Sequence, residues 1–397
     1  VKQARFADER IVVWMADDVL FPGSTVGIIG DSPNGIMLAR AAKKLGFKVV
    51  VYCTQEGNPA LAEADVPMVG RMDDQQRIQD FAQRCDAVTY ESEEVPLEAV
   101  EVVSKYTQVP QGTELLEIAQ DRLLERAFYD QLNVNIAPYA TIITLDDVYQ
   151  AVTSIGYPCV LKPVQKRPGD DRFMVIKRQT DIAKCAGLLE QGGTFILETW
   201  VPFAKELSVI VTRDGKKAQN YFPIIENIYH DGRLHETLVP AQIDRDVEKE
   251  IQRLSMQIVQ QFKARGTFEI SYFMTADGML YVKRIVPAPS MPGYVFDAAM
   301  NISMFAQHIR AIANMPLART EILEPTAMVI VEQEDMPALR TQWVLKSNWR
   351  YNFFRYPQSL QGHRPLGYLL VMAPTIKDAR DQIDSTAIWD AMTKQAE

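Results

Sequence analysis

Four pieces of the segment Phe195–Tyr294 decide the fold: FILETWVPFAKELSVI (195–210), YFPIIENIYHDGRL (221–234), GTFEISYF (266–273) and LYVKRIVPAPSMPGY (280–294). The first reads as strand, short linker, strand. A linker with Glu198 followed by apolar residues can offer backbone groups to an adenine edge, and an inward-pointing Glu206 suits ribose hydroxyls. An edge-strand glutamate in a surface ion pair is the competing reading. The last two pieces read as strands, and their two-residue period puts Glu269 and Ser271 on one face.

Toward the N-terminus, TVGIIGDSPNGIMLARAAKKLGFKVVVYCT (25–54) reads as strand, loop, helix and parallel strand. Its turn keeps only Gly30 and Gly35 and adds Asp31, so GDSPNG is a structural turn and fails as a dinucleotide fingerprint. DAVTYESEEVP (86–96) is a strand running into Glu91, Glu93 and Glu94. Such carboxylates either face the ligand crevice at a parallel strand's C-terminal end or form a solvated acidic loop. Residues 113–151 read as helical around a turn at Asn133–Pro138. PCVLKPV (158–164) is a strand whose Lys162 either reaches a phosphate or faces solvent. QKRPGDDRF (165–173) has the placement of a flap over a ligand, but one glycine and two aspartates do not cradle phosphate.

Bulk properties exclude several classes. A net charge of −9 over 397 residues argues against a nucleic-acid surface, which needs a basic face. Cys53, Cys85, Cys159 and Cys185 are scattered, without a CxxC pair, so neither a zinc site nor a disulfide framework is expected. Each reads as a buried, inert thiol. No apolar run approaches the ~20 residues that span a bilayer. No signal peptide is visible, so the cytoplasm is the expected location.

The α/β unit, the two-lobed α+β unit and the small β-rich unit follow the order of ATP-grasp ligases. The words PGSTVGIIG, VTYESEEVP, AQDRLLER, GYPCVLK, ILETWVPFAKELSVI, YFPIIEN and SMFAQHIRAIANMPL resemble N5-carboxyaminoimidazole ribonucleotide synthase. That family is also called the ATPase subunit of phosphoribosylaminoimidazole carboxylase. The resemblance runs from about residue 22 to residue 375. It implies an N-terminal parallel α/β (pre-ATP-grasp) domain at 23–120, an ATP-grasp domain at 121–315 and a C-terminal β-rich domain at 316–397, after an extension at 1–22. In the family, Mg-ATP phosphorylates bicarbonate, and the carboxyphosphate carboxylates the amine of 5-aminoimidazole ribonucleotide. A homodimer is implied as well.

Residue by residue, the resemblance assigns Arg122 and Lys162 to ATP phosphate, Glu198, Thr199, Trp200 and Val201 to adenine, and Glu206 to ribose. Glu91 and Arg364 fall on the substrate side. The departures are concerted. The family's GGGQLG is GDSPNG, and its flap GGYDGKG is KRPGDDR (166–172). A histidine near the nucleotide is Tyr229, and the two metal-binding glutamates are Ser271 and Arg284. The family asparagine beside the second is Lys283. An arginine and a histidine of the following loop are Ala288 and Ser290, and a substrate-side lysine is Pro365. Lys283 and Arg284 therefore join the expected nucleotide-binding residues, and no metal ligand is assigned. One carboxylate, Glu269, is a poor magnesium site. The expectation is a divergent ATP-binding relative with weak or no ligase activity, set against a non-catalytic regulatory or partner subunit. An active ligase using Glu269, and a structural subunit with an empty cleft, are further readings.

Overall fold

The computed structural model describes residues 19–166, 172–216, 218–357 and 364–389. The IVVWM segment of the extension lies outside these residues, as does most of the expected flap, residues 167–171.

Strands β1 (Thr25–Ile29), β2 (Lys48–Cys53), β3 (Val66–Val69) and β4 (Ala87–Tyr90) form a parallel sheet in the order β3-β2-β1-β4. The apolar runs of β1, β2 and β4 are buried, as expected of strands covered on both faces, whereas the edge strand β3 buries only Met68. The chain's direction across the sheet reverses at β1, which opens a crevice between the C-terminal ends of β1 and β4.

Glu91, the first residue after β4, closes part of that crevice. It is fully buried, and its carboxylate accepts from the Ser32 hydroxyl (2.7 Å), the Gly35 amide (2.6 Å) and the Ser32 amide. The helix Asn34–Lys44 lacks a side-chain cap of its own at Pro33. A carboxylate from a distant strand end thus occupies the anion-favouring end of this helix. This corrects both sequence expectations for Glu91, which is neither in a solvated loop nor free to face a ligand.

Strands β5 (Tyr139–Ile142), β6 (Cys159–Pro163), β7 (Met174–Ile176) and β8 (Phe195–Thr199) make a four-stranded antiparallel sheet ordered β5-β8-β6-β7. The helix Leu145–Ile155 covers it with Val148, Val152 and Ile155. Strand β5 corrects the reading of 113–151 as helical: after Pro138 the chain extends to pair with β8. Thr144 then starts the helix with a capping box to Asp147. The helical run before it is also two helices, Glu114–Gln120 and Arg122–Gln131. They are separated at Asp121, whose carboxylate caps the second by accepting from the Leu123 and Leu124 amides.

The remaining strands are β9 (Phe203–Arg213), β10 (Gln219–Tyr221), β11 (Ile225–His230), β12 (Arg233–Val239), β13 (Gly266–Thr275), β14 (Leu280–Val286), β15 (Thr326–Val331), β16 (Trp349–Phe353) and β17 (Gly367–Met372). They form one sheet ordered β14-β13-β9-β11-β12-β15-β17-β16, with β10 on β9. The C-terminal strands therefore continue the central sheet through the antiparallel β12–β15 ladder, Glu236 to Val239 against Val329 to Thr326. The helix Arg245–Val259 buries Ile251, Leu254 and Ile258 against the sheet. All four cysteines are buried and unbonded. Burial pushes the Cys53 and Cys85 thiols up to about 12, and Cys159 and Cys185 to about 11, which keeps them protonated and inert.

Gly30 has a φ of +142°, and a side-chain carbon there would collide with the Glu91 carboxylate. Gly30→Ala is expected to lower unfolding free energy by about 1–3 kcal/mol. Urea midpoints at constant m-value measure this; an unchanged midpoint would show that Glu91 is not held as described.

Candidate functional site

The helix Arg122–Gln131 joins the four-stranded sheet to β14 of the large sheet, and the charged side chains that meet there outline the candidate cleft. Glu125 and Arg126, consecutive on that helix, are buried in spite of their charge. Arg126 donates from Nε to Glu198 on β8 (2.7 Å) and from Nη1 to the Lys283 carbonyl on β14 (3.0 Å). Glu125 accepts from the Ile285 amide on β14 (2.9 Å) and from Lys166 Nζ (2.9 Å). The sequence reading missed Glu125, Arg126 and Lys166. The signal was available: AQDRLLER places Arg126 four residues after Arg122, on one helix face.

Lys162 lies on β6, its side chain a third exposed, with Nζ 3.1 Å from Glu198. Glu198 is therefore not a linker residue, as the sequence suggested. It is a strand residue whose carboxylate bridges Arg126 and Lys162. Burial alone would raise its pKa, but the two cations outweigh burial and hold it at about 2. Arg122 begins its helix and donates to the Pro163 carbonyl (2.6 Å), beside Lys162.

The linker from β8 to β9 is anchored at its start. The Thr199 amide donates to Pro138, the Trp200 amide to Pro158, and the Thr199 hydroxyl to Ile155. Trp200 is exposed at 44%, whereas Val201 is buried. The linker thus presents an exposed indole on anchored backbone.

On the opposite wall, Glu206 of β9 is buried and receives a hydrogen bond from Lys283 Nζ. The same ammonium lies 4.9 Å from the Tyr229 ring centroid and 5.1 Å from that of Phe273. Arg284 Nη1 reaches Glu93 Oε1 at 3.4 Å. The strand alternation that should send residues 283 and 284 to opposite faces is interrupted here. Ser271 pairs with Arg284 and Tyr272 with Val282, so Lys283 is the extra residue of a β-bulge.

A magnesium ion is implied by the resemblance, and the residues present do not fit one. Ser271 and Arg284 oppose each other where carboxylates are needed. Glu269 is fully buried, its Oε1 accepting from Ser208 (2.6 Å) and Ser271 (2.9 Å). Ser208 in turn accepts from Asn227 (2.8 Å). Among the described residues no group of three His, Cys, Asp or Glu side chains is placed to hold a metal ion.

Arg364 lies at the crevice end of the parallel sheet. It donates to the Asp31 carbonyl (3.3 Å) and Gln55 Oε1 (3.4 Å), with its guanidinium 5.1 Å from the Tyr356 ring centroid. Beside it, Tyr294 is fully buried with its hydroxyl on Asn34 Oδ1 (2.7 Å), and it packs against Phe305, Phe354 and Tyr368. Arg364 and Glu91 thus share a neighbourhood near Asp31 and Ser32, separate from the Lys162–Glu198 side of the cleft.

Residues 127–305 match an ATP-grasp domain, and residues 24–120 match a ribonucleotide synthetase preATP-grasp domain. The chain is 34% identical over 315 residues to the N5-carboxyaminoimidazole ribonucleotide synthase of Bacillus subtilis (strain 168), which covers 79% of this chain and 83% of that relative. It is similar in structure to the ADP complex of an N5-carboxyaminoimidazole ribonucleotide synthetase, with a TM-score of 0.90 at 31% identity, over 94% of this chain and 99% of the other. The ADP complex of the Staphylococcus aureus N5-carboxyaminoimidazole synthetase gives 0.86 at 26% identity, over 94% and 99% of the two chains. No helix among the described residues is long and apolar enough to cross a membrane. The order of its sheets, the cleft between them and the extent of these matches agree: the chain belongs to the N5-carboxyaminoimidazole ribonucleotide synthase family of ATP-grasp ligases.

Proposed function

We propose that this chain binds an adenine nucleotide in the cleft and has weak or no ligase turnover. The observation that carries this reading is the Ser271–Arg284 pair, a hydroxyl and a guanidinium across one ladder position. In-flight charge on a transferred phosphoryl group needs metal ions or cations in fixed geometry. Guanidinium and ammonium groups hold phosphate without polarising it as a divalent ion does.

In this proposal Trp200 and Val201 take the adenine, Glu206 the ribose hydroxyls, and Lys162, Arg122, Lys283 and Arg284 the phosphates. Binding exchanges internal ion pairs for nucleotide contacts. Lys162 gives up Glu198, which keeps Arg126, and Lys283 shifts from Glu206. Arg364 remains the substrate-side candidate, facing 5-aminoimidazole ribonucleotide if that acceptor binds, with bicarbonate as the family's second substrate. Glu91 stays internal. A cytoplasmic homodimer and the division at 23–120, 121–315 and 316–397 belong to the same proposal.

A second reading, an active ligase, rests on Glu269 Oε2, which is buried without a hydrogen-bond partner. Rotation of Glu269 away from Ser208 would offer one carboxylate to a metal.

ADP release with Mg-ATP and bicarbonate, with and without 5-aminoimidazole ribonucleotide, separates the two. We expect no release above background while calorimetry still shows ATP binding; robust turnover would overturn the proposal. Lys162→Ala is expected to weaken ATP binding by about tenfold, the worth of one charge-assisted contact. Stability should barely change, because the Lys162 side chain is a third exposed.

Glu198→Gln behaves oppositely. It leaves Arg126 buried without its counter-charge and should lower unfolding free energy by about 3–5 kcal/mol at neutral pH. The Glu198 pKa is depressed to about 2 on folding, so its stabilisation is complete above the unfolded value near ~4.3 and is lost as pH falls toward 2. Chemical denaturation from pH 7 to pH 2 should therefore show the parent and Glu198→Gln converging in acid. Parallel curves would refute the ion pair's role.

A further inference from the structure

Lys283 and Arg284 form a pair of cations that the backbone forces together. The bulge opposite Ser271 and Tyr272 removes the alternation that would separate them. Both act on the same surroundings: the charges of Lys283 and Arg284 bear on each other and on Glu206 and Glu269. Lys166 joins the cluster, since burial and the charges of Arg284 and Arg122 together hold its pKa down against Glu125.

Arg284 is incompletely satisfied by the protein itself. Arg284 Nε is buried with no hydrogen-bond partner, and the ion pair to Glu93 is long at 3.4 Å. The Arg284 side chain nevertheless retains 36% exposure, so a ligand can reach it. Like charges gathered on one wall, with a donor left over, are complementary to a chain of phosphates. They also repel a divalent cation, and of the three carboxylates around them Glu206 and Glu93 are paired with Lys283 and Arg284, while Glu269 is enclosed by the Ser208 and Ser271 hydroxyls.

We propose that Lys283 and Arg284 are a built-in substitute for the metal, so that the cleft binds the metal-free nucleoside triphosphate in preference to its magnesium chelate. This rests on the nucleotide-binding reading above and reverses the usual order, in which ATP-binding clefts take the chelate. The Lys283 ammonium leaves Glu206 for the phosphates, freeing that carboxylate for the ribose. Arg284 turns its unused donor onto the same group. No bond is made or broken.

The test is calorimetric titration of the full chain with ATP at fixed ionic strength, once with EDTA and once with saturating magnesium. Affinity about tenfold higher in EDTA is the expected result. Equal affinity, or tighter binding with magnesium, overturns the inference and leaves the nucleotide-binding reading standing. Absence of binding in both conditions overturns that reading as well. The parent comparison needs no variant, so a folding defect cannot obscure it. Two variants locate the effect: Arg284→Lys should keep the preference for the metal-free form, and Ser271→Glu with Arg284→Glu should invert it. Persistence of the parent's preference in the double variant would assign it to other residues.

Discussion

Two consecutive charged residues on one helix hold the cleft together. Glu125 and Arg126 are buried at the junction, where Arg126 spends its polar atoms on two partners and Glu125 on three. Arg126 ties β8 to β14, and Glu125 ties β14 to Lys166. Burying a guanidinium and a carboxylate is costly unless nearly every donor and acceptor is matched. The match fixes how the four-stranded sheet stands against the large one. The cleft's width and the spacing of Lys162, Glu206 and Arg284 follow from it.

Against that frame, the departures from the family pattern are local and share one direction. The resemblance puts two metal-binding carboxylates at Ser271 and Arg284, where a hydroxyl and a guanidinium face each other across one ladder position. At the crevice end of the parallel sheet, Tyr294 packs its ring among Phe305, Phe354 and Tyr368.

Much of this was legible in the sequence. The parallel unit followed from strand, helix and strand spacing between Thr25 and Cys53, and the strand–linker–strand of Phe195–Arg213 stands where the pattern put it. What escaped has physical reasons. Strand β5 is four residues of mixed character, and only its pairing with β8 makes it a strand. Glu198 looked like a linker residue because its partners, Arg126 and Lys162, are 72 and 36 positions away. Glu91 looked available because nothing in VTYESEEVP says that a helix end 56 residues earlier lacks a cap. The bulge at Lys283 was invisible, since a register shift belongs to two strands at once.

The continuity of the large sheet has a consequence for dissecting the chain. Strands β15, β16 and β17 cover the flank of β12, and the ladder from Glu236 to Val239 is satisfied by Thr326 to Val329. Removing the C-terminal segment would not release a tidy module. It would bare a row of backbone amides and carbonyls on β12, together with the apolar side chain of Leu238, now buried against Ala327 and Val329. An uncovered edge of that kind recruits other strands, so a shortened chain would self-associate. The small terminal strands act as a seal for the sheet that carries the cleft.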